Sequence, residues 1–78
     1  MVSVEISYYP LADDFNAPIR EFLNKLSNDK LIIESGKMST IIIGEYIDVM
    51  NLMTSAMGDL MKEHRSVFNI KLSNSCIV

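Results

Sequence analysis

Cysteine, histidine, glycine and tryptophan are scarce in this chain of 78 residues, which has one Cys, one His, three Gly and no Trp. Each shortage closes off a class of chemistry. A lone Cys76 forms no internal disulfide, and neither a second Cys nor a neighbouring His gives it metal-ligand spacing, so a reducing cytoplasm is the expected setting. The tail Cys76-Ile77-Val78 is one residue short of a prenylation box and reads as an ordinary thiol. His64 is given no catalytic role, because its pattern in sequence makes no acid–base or nucleophile motif, and no glycine-rich phosphate loop of the GxGxxG or GxxxxGK kind is present. With no carboxylate pair and no metal cluster either, nothing equips the chain for turnover, and it is read as a non-enzyme without cofactor.

Basic charge is also short. Seven Lys and Arg against ten Asp and Glu leave a formal charge of −3, and the basic residues are scattered, whereas phosphate binding needs them clustered. Nucleic acid is therefore not an expected partner. No apolar run approaches the roughly 18 residues that span a bilayer, and no charged segment followed by an apolar stretch opens the chain. Neither secretion nor membrane insertion is expected.

What is abundant is apolar surface. Hydrophobic residues make up 49% of the chain, which places it firmly among folded globular proteins. At this length residues 1–78 read as one domain, because a chain this small buries only about 60% of its unfolded surface. The surplus apolar area suggests a subunit interface.

Val2 to Tyr9 alternates Val2, Val4, Ile6 and Tyr8 with Ser3, Glu5, Ser7 and Tyr9, the period of a strand with one face on a core. Pro10 ends this first strand, β1, because it has no N–H to donate, and Asp13, Asp14 and Asn16 offer oxygens to a helix start. Pro18 suits a first turn, and Ile19, Phe22, Leu23 and Leu26 follow at the spacing of a helix, α1. After the turn Ser27-Asn28-Asp29 comes a short strand, β2, at Leu31 to Ile33, expected at a sheet edge. The turn Ser35-Gly36-Lys37 leads into β3 at Met38 to Gly44, whose successive Ile41, Ile42 and Ile43 suggest a central strand buried on both faces.

From Tyr46 to Arg65 the apolar positions Val49, Met50, Met53, Ala56, Met57, Leu60 and Met61 make the stripe of a second helix, α2. This stripe is read as core, and His64 in the last turn as a cation complementing the helix dipole. Val67 to Ser73 alternates again and gives β4. The order β-α-β-β-α-β predicts an α+β fold, a ferredoxin-like sandwich with a four-stranded antiparallel sheet and both helices on one face.

The opposite sheet face then carries Ser3, Glu5, Ser7 and Tyr9 beside Asn69, Lys71 and Ser73. Glu5, a carboxylate on a central strand, needs a partner. That partner is either Lys71 across the strands or a ligand's N–H or positive charge. Tyr8 either completes the edge of the core or lends a ring to that ligand. Other uses of this fold lack their residues: Tyr9-Pro10-Leu11-Ala12 stands where a metallochaperone carries CxxC, and β3 has no aromatics for stacking RNA bases.

Three segments in order, Val4-Glu5-Ile6-Ser7-Tyr8-Tyr9-Pro10-Leu11, Gly36-Lys37-Met38-Ser39-Thr40 and Gly44-Glu45-Tyr46-Ile47-Asp48-Val49-Met50, resemble the YkoF-like thiamine-binding family. The resemblance implies binding of thiamine or its hydroxymethylpyrimidine moiety, in vitamin salvage or uptake and without turnover. It also implies sheets packed against one another, here as a homodimer or homotetramer. Carried over position by position, the ligand-binding residues are Glu5, Ser7 and Tyr8 on β1 and Met38, Ser39 and Thr40 leading into β3. They are expected to converge at one end of the sheet, with β1 and β3 as adjacent parallel strands. The alternative function is a structural or regulatory oligomerisation domain of the same fold, in which these residues only pack an interface.

Overall fold

The computed structural model describes residues 1–11, 13, 14 and 16–75, so the Cys76 tail lies outside the described residues. Its elements are β1 (Val2–Pro10), α1 (Asn16–Lys25), β2 (Ile32–Ser35), β3 (Thr40–Gly44), α2 (Tyr46–Glu63) and β4 (Ser66–Ser73). The four strands form one sheet in the order β2-β3-β1-β4, with every neighbouring pair antiparallel. This is the ferredoxin-like α+β architecture.

β1 and β3 are adjacent but antiparallel, which corrects the parallel pairing expected from the sequence. The reason is directional. The crossover through α1 brings β2 back in the direction of β1, and the β2–β3 hairpin then reverses the chain, so β3 runs against both strands that flank it. The reversal sets the end of β1 beside the beginning of β3, with Ile6 opposite Thr40.

Helix α1 begins where Asp14 accepts a hydrogen bond at Oδ1 from the Asn16 N–H (3.0 Å). Buried Pro18 sits in the first turn, where its missing N–H leaves no bond unmade. Helix α2 ends two residues before Arg65, where the sequence reading ends it, with the His64 N–H donating to the Leu60 carbonyl (2.8 Å). Its buried residues are Val49, Met53, Ala56 and Leu60. Met61, read from the sequence as part of the stripe, is exposed because it lies about 100° around the helix from Leu60.

The core lies between the helices and one sheet face. Val2, Val4 and Ile6 of β1 and Ile42 of β3 meet Phe22, Leu26, Leu31 and the α2 stripe. At one end Tyr8, Phe22 and Phe68 form an aromatic cluster, with Tyr8 stacked on Phe68 at 4.7 Å between ring centroids. The expectation that the β3 isoleucines are buried on both faces is corrected: Ile42 is 0% exposed, whereas Ile41 is 36% exposed. Both helices lie on one side, so no helix or strand among the described residues covers the face that carries Ile41. The helices rest on β1 and β3, and Ile70 and Leu72 of edge strand β4 therefore stay exposed although they share the helix side with Ile6 and Val4.

Gly44 closes β3 where the buried Leu31 side chain crosses over it. A Cβ at this position would overlap Leu31 Cδ2 and meet the Lys30 carbonyl at 3.6 Å. Leu31 is 8% exposed and has little room to withdraw. Gly44→Ala is therefore expected to destabilise the fold by about 1–3 kcal/mol, the range for overpacking. Urea unfolding checks it, and an unchanged midpoint would show that Leu31 moves aside freely.

Candidate functional site

Strict alternation along β1 sends Glu5 and Ser7 to the uncovered sheet face while Val4 and Ile6 enter the core. Pairing on both sides of β1 then fixes the neighbours of Glu5. Ile41 lies opposite it on β3 and Lys71 opposite it on β4, and Glu34 of β2 lies opposite Ile41. One row across the sheet thus reads Glu34, Ile41, Glu5, Lys71, with Ile32, Ile43, Ser3 and Ser73 in the row beside it.

These rows line a shallow concavity of about 400 Å³, bounded by Ser3, Glu5, Glu34, Ile41, Ile43, Lys71 and Ser73. That volume falls within the roughly 300–1,000 Å³ of small-molecule sites. Its floor is aliphatic and its rim carries the charges.

The Glu5 carboxylate is engaged at both oxygens. Ser39 Oγ donates to Oε2 at 3.0 Å, and Lys71 Nζ lies 3.7 Å from Oε1. Glu5 is 44% exposed and Lys71 79% exposed, so the ion pair is worth no more than about 1 kcal/mol. A carboxylate has about four acceptor positions, which leaves Glu5 able to accept further hydrogen bonds. Ser7 Oγ donates to the Met38 carbonyl at 3.1 Å, tying β1 to the hairpin ahead of β3. That hairpin is a four-residue loop, Gly36 to Ser39, closed by the Gly36 N–H donating to the Ser39 carbonyl (2.8 Å). Met38 lies in this loop and is 86% exposed, not the first residue of β3 as the sequence suggests.

Of the six residues nominated from sequence, Glu5, Ser7, Met38 and Ser39 meet at one end of the uncovered face. Tyr8 and Thr40 lie on the helix side. Tyr8 stacks in the aromatic cluster and shares a hydrogen bond with Ser66 Oγ (3.1 Å), and Thr40 is buried opposite Ile6. Glu34, Ile41 and Ile43 line the concavity but are not among those six. Only the strand register, which the sequence does not state, brings them beside Glu5.

A second polar cluster lies on the helix side. His64 Nε2–H donates to Glu21 Oε2 at 3.0 Å, linking the end of α2 to α1, and Glu63 Oε2 is 4.0 Å from the same nitrogen. It is the one group of His, Cys, Asp and Glu among the described residues whose ligand atoms lie close enough together to hold a metal ion. The acid that hydrogen-bonds His64 is thus supplied by α1 and not by the adjoining Glu63. The His64 hydrogen bond holds the Glu21 carboxyl below the usual carboxylate range.

The fold and the uncovered face define a ferredoxin-like α+β protein with a ligand-sized hollow on its sheet. SP2199 of Streptococcus pneumoniae shares this fold at TM-score 0.86 and 19% identity over 97% of this chain and 88% of that one. A Thermotoga maritima protein with a proposed role in thiamine biosynthesis or salvage matches at TM-score 0.83 and 22% identity, covering 95% and 83%. The hypothetical protein MJ1052 of Methanocaldococcus jannascii matches at TM-score 0.80 and 18% identity, covering 94% and 78%. No curated protein matches this chain. Residues 1–76 match the YKOF-related family, and the chain belongs to that family. Among the described residues no helix is long and apolar enough to cross a membrane.

The Glu21–His64 pair generates a pH dependence. A carboxyl whose folded pKa lies below its unfolded value stabilises the fold above the unfolded value, and that contribution is lost as pH falls through the folded one. With an ordinary value of 4.5 for Glu21, the stability difference between the wild type and Glu21→Gln is expected to hold near neutrality and to narrow below that pH. Melting curves across the acid range check it. A difference that stays constant down to about pH 3 would show that the pair contributes nothing through ionisation.

Proposed function

We propose that the chain binds thiamine or its hydroxymethylpyrimidine moiety on the uncovered sheet face, as a single-domain carrier that performs no reaction. The observation that carries this reading is the Glu5 carboxylate, held between Ser39 and Lys71 at the rim of an aliphatic hollow in a member of the YKOF-related family. An aminopyrimidine needs acceptors and donors for its edge and an apolar surface for its face. Glu5, Ser7 and Ser39 offer the first, and Ile41 and Ile43 the second. Tyr8 and Thr40 support the site from the helix side by fixing the strands that present it. The proposed role of the Thermotoga maritima neighbour in thiamine biosynthesis or salvage favours vitamin salvage as the setting, and we place that setting in the cytoplasm.

The apolar content of the uncovered face supports a second feature of the reading, self-association through sheet packing as a homodimer or homotetramer. Ile32, Ile41 and Val67 are exposed there, and sheets with such faces pack about 10 Å apart. An oligomerisation domain with no ligand is the competing reading, and it rests on the same residues. Sedimentation at micromolar concentration is expected to show a dimer or larger species. A clean monomer would remove the assembly and the competing reading together.

Ligand binding is tested by melting. A ligand that binds only the folded state stabilises it by about 2.7 kcal/mol at a hundredfold excess over Kd, and about 4–8 °C per kcal/mol follows for a chain of this size. Thiamine or hydroxymethylpyrimidine is thus expected to raise Tm by about 10 °C or more. Glu5→Gln is expected to weaken binding by at least about 1 kcal/mol, less than the full 1.5–3 of a buried charged hydrogen bond because Glu5 is half exposed. Lys71→Met is expected to change it by no more than about twofold. A flat melting response to both compounds would leave the oligomerisation domain as the better account.

A further inference from the structure

The proposed site contains a carboxylate that the network around Glu5 does not use. Glu34 lies on β2 at the far end of the row Glu34, Ile41, Glu5, Lys71, and its side chain lines the same hollow. Among the described residues its carboxylate makes no ion pair and no side-chain hydrogen bond. Glu5, by contrast, has both oxygens engaged, and the one cation in the row stands beside it at the opposite edge. Adjacent strands are about 4.8 Å apart, so the two acidic positions are separated by about 10 Å with Ile41 between them.

The row is therefore unequal along its length. At the β1 end a polar group can exchange hydrogen bonds with a carboxylate whose charge Lys71 already balances. At the β2 end an aliphatic floor adjoins a negative charge with no counterion among the described residues. A two-ring ligand of about that span would set a neutral hydrogen-bonding ring at one end and a positively charged ring at the other.

We propose that Glu34 selects a cationic ligand, accepting the delocalised positive charge of a heteroaromatic ring that lies over Ile41, while the Glu5 end holds the neutral portion. This rests on the thiamine-binding reading and adds to it that the thiazolium half, not the pyrimidine alone, is recognised. Because Glu34 is exposed, the interaction is of the strength of a solvent-accessible ion pair, about two- to fivefold in affinity, and is weakened by salt.

The experiment is calorimetric titration of the 78-residue chain with thiamine and, separately, with hydroxymethylpyrimidine, at a pH where the aminopyrimidine is neutral. Wild type, Glu34→Gln and Glu34→Lys are compared. Glu34→Gln is expected to weaken thiamine about two- to fivefold and to leave hydroxymethylpyrimidine unchanged, and Glu34→Lys to weaken thiamine further. Wild-type affinity for thiamine is also expected to fall with added sodium chloride more steeply than that for hydroxymethylpyrimidine, a readout that needs no variant. If both compounds bind but Glu34→Gln alters neither, or alters both equally, the assignment of Glu34 is overturned and the carrier reading stands. If wild type binds neither compound, both are overturned.

Discussion

β1 exchanges backbone hydrogen bonds with a neighbour on each side, and its alternate residues are committed to opposite environments. Val4 and Ile6 are 1% exposed, and a slip of one residue would carry them to solvent and drive Glu5 and Ser7 into the core. Burying those polar groups without partners would cost several kcal/mol. The register of this one strand therefore fixes where every side chain of the candidate site stands. β3 and β4 are placed by reference to it, and β2 by reference to β3.

From that constraint the two faces of the sheet acquire different physics. The helix side is filled by close-packed aliphatic and aromatic groups, with Phe22 bridging α1 to Tyr8 and Phe68. The other side is a half-apolar surface without a covering layer among the described residues, where Ile41 and Ile43 stand among Ser3, Glu5, Glu34 and Lys71. A surface of this composition is suited to a small amphipathic ligand. It is suited as well to a second sheet, and the two uses are compatible because a packed sheet would deepen a hollow that is shallow in the single chain.

Charge on the open face is arranged rather than merely present. Lys71 and Ser39 engage Glu5 from two directions, which holds the carboxylate in position while leaving part of it accessible. The hairpin ahead of β3 is tied by Ser7 to the same end of the sheet, so the loop that supplies Met38 and Ser39 is anchored where the proposed ligand meets it. Away from this face, the Glu21–His64 bond performs a separate task and joins the end of α2 to the middle of α1.

Much of the fold was legible in the sequence. The period of two in Val2 to Tyr9, the helical stripe through Val49, Met53, Ala56 and Leu60, and the βαββαβ order are local properties, set by which residues must avoid water within one element. Alternation along β1 likewise separated Glu5 and Ser7 from Val4 and Ile6 before any partner was known. Three other features depend on pairing between distant segments. The antiparallel course of β3 put Ser39 on Glu5, the register of β2 brought Glu34 into the hollow, and the stacking of Phe68 drew Tyr8 to the helix side. The acid that hydrogen-bonds His64 came from α1, 43 positions away, and not from the adjoining Glu63. Periodicity reports what a residue does relative to its own element, whereas a site is made of residues from several elements. Their juxtaposition is decided only when backbone hydrogen bonds and core packing choose one register among the many that the same pattern allows.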